Sequence, residues 1–260
     1  MLPTLFVSHG APTLPIEPDS PARTFLTGLG ASLPRPKAIL AVSAHWETDR
    51  PAVSLADRPA TLHDFHGFPP QLYQLRYPAP GAPDVALRAL DLLEEAGIGC
   101  DMDPTRGLDH GAWVPLLLGY PKADIPVTQL SIQRHFNPEA HLALGEALAP
   151  LRKEGVLVLG SGGAIHNLRD LDWTGGDTPE KWAVEFEGWL VEAVARGDRE
   201  ALAHWTTRAP HAAKAQPRPD HFMPLLVALG AAGPGARGKL LHNSWVFGNL
   251  GMAAFAFDAA

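Results

Sequence analysis

Three features of the chain predict an α/β fold: one domain in which a central, mostly parallel or mixed sheet is flanked by helices, with the active site at the carboxyl ends of strands. Apolar runs of strand length recur at residues 4–7, 38–43 and 156–159. Ala38 to Val42 shows no polar alternation, as expected of a strand covered on both faces. Between such runs lie segments with helical periodicity and cap signals, and this alternation builds α/β architecture. Each of the three strands also leads into a histidine: His9 after Val7, His45 after Val42, and His166 after Gly160-Ser161-Gly162-Gly163. Ligands of open α/β sheets bind beyond the strands' carboxyl ends. Three strand-then-histidine units therefore point to one site.

In chain order, the first strand is followed by the loop Ser8-His9-Gly10-Ala11-Pro12, where Gly10 allows close approach of the backbone. Ser20-Pro21 reads as an N-cap and first helical residue, opening a helix to about Leu29. The second strand, 38–43, ends in Ser43, His45 and Glu47. Residues 51–83 are rich in proline and aromatic residues around Thr61 to Pro70, and a long irregular segment inside a domain reads either as a binding loop or as packed surface. Asp84 to Ala96 is a helix stopped by Gly97. A short strand near 98–102 leads to Leu108-Asp109-His110-Gly111-Ala112-Trp113 and a helical turn from Val114 to Leu118. For Asp109 the competing reading is a helix N-cap. Residues 125–132 form a strand, and Asn137-Pro138 opens a helix ending with Arg152 and Lys153, which suit the negative end of its dipole.

The strand 156–159 and its glycine turn match neither a dinucleotide fingerprint, since residue 165 is Ile, nor a nucleophile elbow at Ser161, since residue 159 is Leu. Thr178-Pro179 caps a helix whose stripe of Trp182, Phe186, Trp189, Leu190 and Val194 is core. Residues 198–220 read as a helix and a basic, proline-containing loop, and a further helix begins at Asp220-His221. Leu240 to Phe257 reads as two strands joined near Gly248-Asn249 and paired as a hairpin.

With 260 residues, 46% hydrophobic and 19% charged, the chain has enough apolar material for a large core. A net charge of −7 without a basic run argues against nucleic acid and anionic membrane as partners. The single cysteine, Cys100, rules out an internal disulfide and fits a reducing compartment. No signal peptide or membrane span is legible, so the expected location is cytoplasmic.

His9, His45, His166 and His221 each sit at a strand exit or helix start. Three neutral imidazoles on one face would hold Zn(II) or Fe(II) with open positions. A fourth left off the metal would transfer protons near neutral pH. The alternative is four loop histidines satisfied by their own neighbours.

The ordered set Ser8-His9-Gly10-Ala11-Pro12, Ser43-Ala44-His45-Trp46, Asp109-His110-Gly111-Ala112-Trp113, His166-Asn167-Leu168 and His221-Phe222-Met223-Pro224-Leu225-Leu226 resembles the class III extradiol ring-cleaving dioxygenases, nearest their DOPA 4,5-dioxygenase-like branch. The likeness runs from residue 5 to about 250. It implies one catalytic domain over 1–260, a mononuclear Fe(II) and no organic cofactor. It further implies His9, His45 and His221 as metal ligands, His166 as the catalytic histidine and His110 as a second catalytic group. Expected substrate contacts are His63, Asp109 and Trp46. The broader class uses two His and one carboxylate; here the third position is His221, a set that also suits Zn(II), while Asp220 and Glu47 are candidate carboxylate ligands expected beside the metal rather than on it. The implied substrates are an aromatic diol and O₂. A zinc-dependent hydrolase using the same histidines is the competing activity, and a non-enzymatic binding protein the third reading. The 61–70 loop and the basic residues Arg208, Lys214 and Arg218 read either as recognising the substrate's side chain or its carboxylate, or as solvated surface.

Overall fold

The computed structural model describes residues 1–172 and 178–258. In chain order it contains β1 (Thr4–Ser8), α1 (Pro21–Leu29), β2 (Ala38–Thr48), β3 (Ala52–Ser54), α2 (Pro83–Glu95), β4 (Asp101–Asp103), α3 (His110–Gly119), β5 (Val127–Gln133), α4 (Pro138–Leu148) and β6 (Val156–Gly162). Then follow α5 (Lys181–Arg196), α6 (Arg199–Ala203), α7 (Trp205–Arg208), α8 (Ala212–Ala215), α9 (Met223–Ala232), β7 (Arg237–His242), β8 (Trp245–Val246), β9 (Leu250–Gly251) and β10 (Ala254–Asp258). Eight strands make one mixed sheet in the order β4-β3-β5-β2-β6-β1-β10-β7. Its centre, β5-β2-β6-β1, is parallel. Antiparallel pairings attach β3 on one side and β10 with β7 on the other.

The central strands are covered on both faces, and their side chains alternate accordingly. Phe6, Leu40 and Val42 join one core with Leu142 of α4, Phe186 of α5 and Leu225 of α9. Leu5, Val7, Ile39 and Ala41 join a second core with Leu26 of α1 and Trp113 of α3. Ile39, Ala41, Ser43 and His45 thus share the parity that faces α3.

Several elements differ from the sequence expectation. The 51–83 segment contains β3 and a 3₁₀ turn, Pro70–Gln74, because a three-residue strand carries too little alternation to be read. Strand β2 continues through His45 to Thr48, so His45 lies on the strand rather than beyond it. Likewise β6 includes Gly160 and Gly162: a Cβ on Gly162 would collide with the His221 carbonyl, and one on Gly160 with the Pro224 carbonyl. These glycines are where α9 and the turn before it lie directly on the strand. The α5 N-cap is Glu180 rather than Thr178. Residues 198–220 break into α6, α7 and α8, with His211 in the left-handed region at φ 56°. The helix from Asn137 ends at Leu148 and tightens into a 3₁₀ turn through Arg152. The C-terminal hairpin is β7 with β10; Gly248-Asn249 turns a smaller ribbon, β8–β9, between them. Among the described residues, no helix is long and apolar enough to cross a membrane.

Candidate active site

At the carboxyl ends of β1, β2 and β6 the structure brings His9, His45 and His221 together, each offering a ring nitrogen within 4.8 Å of the others. His9 follows β1, its backbone N–H donating to Gly162 O across to β6 at 3.0 Å. His45 projects from β2, and His221 sits in a 3₁₀ turn (Pro219–Phe222) that runs into α9. Gly111 at the start of α3 makes room for this gathering, since a Cβ there would collide with Ser43 Oγ and lie 3.0 Å from the His45 ring.

The hydrogen bonds around these rings set their tautomers. Ser161 Oγ donates its one proton to Gly111 O, so toward His9 it accepts, and His9 Nδ1 at 3.0 Å carries the hydrogen. That leaves the His9 Nε2 lone pair facing His45 Nε2 at 3.0 Å. His221 is buried, and among the described residues neither of its ring nitrogens finds a hydrogen-bond partner, although Nδ1 lies 3.2 Å from Asp220 Oδ2. A buried imidazole without a hydrogen-bond partner is costly unless a cation satisfies it, and the His9 and His45 Nε2 atoms converge beside it. The three residues fit a metal ion. Burial, reinforced by the neighbouring imidazoles, holds His9 and His221 well below the ordinary histidine value. Burial and then His110 bring His45 down to about 4, against the opposing pull of Asp109 and Asp64. All three rings are therefore neutral at pH 7, the form that binds metal.

Two further histidines stand beside this triad. His166 stacks on His221 with ring centroids 3.4 Å apart and planes 10° apart. Its loop is pinned to α8: His166 N donates to Ala215 O at 2.9 Å, and Gln216 Nε2 donates to Gly163 O at 2.8 Å. Burial lowers the His166 pKa, with Asp220 pulling the other way. His110, the first residue of α3, lies 3.9 Å from the His45 ring, centroid to centroid. Asp64, from the 61–70 loop, accepts from both its backbone N–H and its Nδ1, each at 2.9 Å. Burial alone would raise the Asp64 pKa, but the hydrogen bonds and charge of His110 outweigh it and hold the carboxyl at about 2. Asp64 Oδ2 also lies 3.8 Å from His45 Nδ1.

His9, His45, His110, His166 and His221 all line a cavity of about 600 Å³ whose remaining wall is mainly apolar, with Phe65, Phe68, Ile165 and Met252 among its residues. Three expected substrate contacts do not line it. Asp109 is fully buried; it caps α3 at Ala112 N and accepts from Ser43 Oγ at 2.6 Å, Arg106 Nη2 at 2.7 Å and Gln129 Nε2 at 2.9 Å. Trp46, one residue from His45 on a strand of period two, faces the opposite side and stacks under Arg106 at 5.1 Å. His63 lies against Leu75 O at 3.1 Å and Arg76 Nη1 at 3.2 Å, within its own loop. Glu47 and Asp220 are both ion-paired with Arg218, Asp220 remaining beside His221. Arg208 pairs with Glu200, and Lys214 lies against Asp170 and over the Trp182 ring. The basic segment is thus engaged outside the cavity.

Sequence reasoning missed Asp64 and Ser161 as orienting groups. A serine beside a strand-exit histidine carries a weak signal, and Asp64 lies 46 positions from its partner, joined to it only by the fold.

A histidine-walled centre of this kind at the carboxyl ends of a mixed α/β sheet is the site of a metal-dependent enzyme. Residues 3–258 match the family described as the catalytic LigB subunit of aromatic ring-opening dioxygenase, and the chain belongs to that family. It is 46% identical over 98% of its length to 4,5-DOPA dioxygenase extradiol of Beta vulgaris, covering 96% of that protein. It is 39% identical over 88% to 4,5-DOPA dioxygenase extradiol of Escherichia coli, covering 85%. The crystal structure of an uncharacterized Escherichia coli K12 protein superposes with a TM-score of 0.81 at 35% identity, covering 98% of this chain and 99% of that one.

Proposed function

We propose that the chain opens the ring of a substituted, DOPA-like catechol beside its diol, placing both atoms of O₂ in a ring-opened semialdehyde. Catechol and O₂ together hold every atom of that product, so no outside reductant is required. His9, His45 and His221 would hold Fe(II), which when bound supplies adjacent positions for the diol and O₂ and lowers the diol's pKa. The other roles belong to protein groups. His166, neutral at pH 7 and outside the ligand triad, accepts a diol proton and returns it as the ring opens. His110, with Nδ1–H donated to Asp64, turns the other edge of its ring to the cavity and orients a diol oxygen. The apolar wall excludes water from the ring.

The observation that carries this reading is the convergence of His9 and His45 Nε2 at 3.0 Å beside the unbonded His221, at the floor of an apolar cavity wide enough for an aromatic ring. The names of the relatives supply the substrate class. Protein reconstituted anaerobically with Fe(II) should consume O₂ with a catechol and develop the visible absorbance of a semialdehyde. Ester or amide hydrolysis without O₂ uptake would overturn the reading in favour of a metal-dependent hydrolase.

A further inference from the structure

We infer that Glu17 binds the ammonium group of the substrate's side chain, making alkylammonium catechols the preferred substrates and catechols bearing only a carboxylate poor ones. This rests on the ring-opening reading above and adds to it the charge at the far end of the substrate.

The chain leaving His9 runs along the cavity wall through Gly10 to Thr13, makes one 3₁₀ turn at Leu14–Ile16, and returns to the wall at Glu17. Among the described residues lining the cavity, Glu17 is the only one with a carboxylate, and none is Lys or Arg. Its carboxylate makes no hydrogen bond or ion pair among the described residues, whereas the Ser8 hydroxyl on the same wall is engaged with Ala253 O and Ala164 N. The diol end is assigned to the histidine floor, so Glu17 is left to meet whatever the ring carries. A negative group beside an apolar wall attracts an ammonium more strongly than it would in bulk water and repels a carboxylate for the same reason. The basic residues that could have compensated a carboxylate are occupied elsewhere: Arg208 by Glu200, Lys214 by Asp170, and Arg218 by Glu47 and Asp220.

Three catechols of nearly equal shape isolate the charge: dopamine, 4-propylcatechol and 3-(3,4-dihydroxyphenyl)propionate. Oxygen uptake by the Fe(II)-loaded enzyme and equilibrium binding without O₂ are both measured for each. The wild-type order should be dopamine, then propylcatechol, then the propionate, with roughly tenfold between the first two in kcat/KM and in affinity. In Glu17→Gln the dopamine-to-propylcatechol ratio should collapse toward one, a change that general damage to the fold would not produce. In Glu17→Arg the order of dopamine and the propionate should reverse. Uptake with all three catechols and an unchanged ratio in Glu17→Gln would overturn the assignment while leaving ring opening intact. Uptake with none of them would overturn the ring-opening reading and this assignment with it.

Discussion

The floor and the wall of the cavity are built on opposite plans. The floor is carried by the sheet: His9 leaves β1, His45 stands on β2, and the His221 turn lies on β6 where Gly162 admits it. Its polar atoms are oriented by hydrogen-bond partners, among them the buried Ser161 and the Asp64 carboxylate of the 61–70 loop. The wall comes from connections, including the 61–70 loop and the β8–β9 ribbon, and is mainly apolar. Rigid strands hold the atoms that must be placed to a fraction of an ångström, while loops shape the space around the substrate. A change in the floor should therefore damage chemistry, and a change in the wall should alter which molecule is accepted and how tightly.

The largest effects belong to the floor. His45→Ala should lose the bound metal and with it at least 10³-fold in kcat, since metal-held chemistry vanishes with its ligand set. His166→Ala should keep its metal and still lose roughly 10²–10⁴-fold in kcat, the usual worth of a proton-transferring group. Metal content by elemental analysis beside O₂ uptake separates the two. If His166→Ala comes out metal-free, His166 is a ligand and the division of labour proposed here is wrong.

Next in size is the latch between the two plans. Asp64 is a wall-loop residue that fixes a floor histidine through two hydrogen bonds of 2.9 Å. Asp64→Asn retains the shape but removes the charge that favours the Nδ1–H tautomer of His110. Removal of such an orienting partner typically costs about 10–100-fold in activity or metal affinity. Here the loss should fall on kcat with metal content preserved. A variant with wild-type kcat would show that the loop only covers the site.

Smaller again is the pure wall. Phe68 lines the cavity from the same loop. Phe68→Ala should raise KM for a catechol about five- to tenfold and leave kcat within a factor of about two, the signature of lost uniform binding. A kcat loss comparable to that of Asp64→Asn would mean that the wall also positions the reacting ring.

The same contrast explains what the sequence made legible. The strand exits could be read because an apolar run ending in histidine is a local pattern, and parallel strands bring their carboxyl ends together. Asp109, Trp46 and His63 adjoin cavity or loop residues in sequence, yet the fold leaves them outside the cavity lining. Strand parity sends Trp46 away from His45, and four neighbours bury Asp109 as the cap of α3. Ser161 failed as a nucleophile on its motif, and its real contacts, His9 and Gly111, come from two other segments. Asp64 and Glu17 lie in loops whose paths depend on packing, such as the hydrogen bond from Trp113 Nε1 to Leu62 O that anchors the 61–70 loop on α3. No pattern of period two or 3.6 encodes such a contact.

The smallest effect is on stability and concerns what supports the wall from behind. Glu187 of α5 is buried against Gly251 of β9, a residue that lines the cavity; its Oε1 has no hydrogen-bond partner among the described residues. Burial raises its pKa from 4.5 to about 7, with a hydrogen bond from Asn243 opposing the shift only in part. The folded protein thus holds a proton that the unfolded chain releases between pH 4.5 and 7. Across that window the unfolded state binds fewer protons, so stability falls as pH rises and then levels off above 7. The loss from this group is roughly 3 kcal/mol at about 1.4 kcal/mol per pH unit. Glu187→Gln keeps the shape and cannot ionise. Urea denaturation should show it close to wild type near pH 5 and more stable by roughly 2–3 kcal/mol at pH 8. Parallel pH profiles for variant and wild type would mean that Glu187 is charged in the folded protein and that Asn243 and the β9 backbone solvate it. The wall would then rest on a satisfied ion rather than a neutral acid.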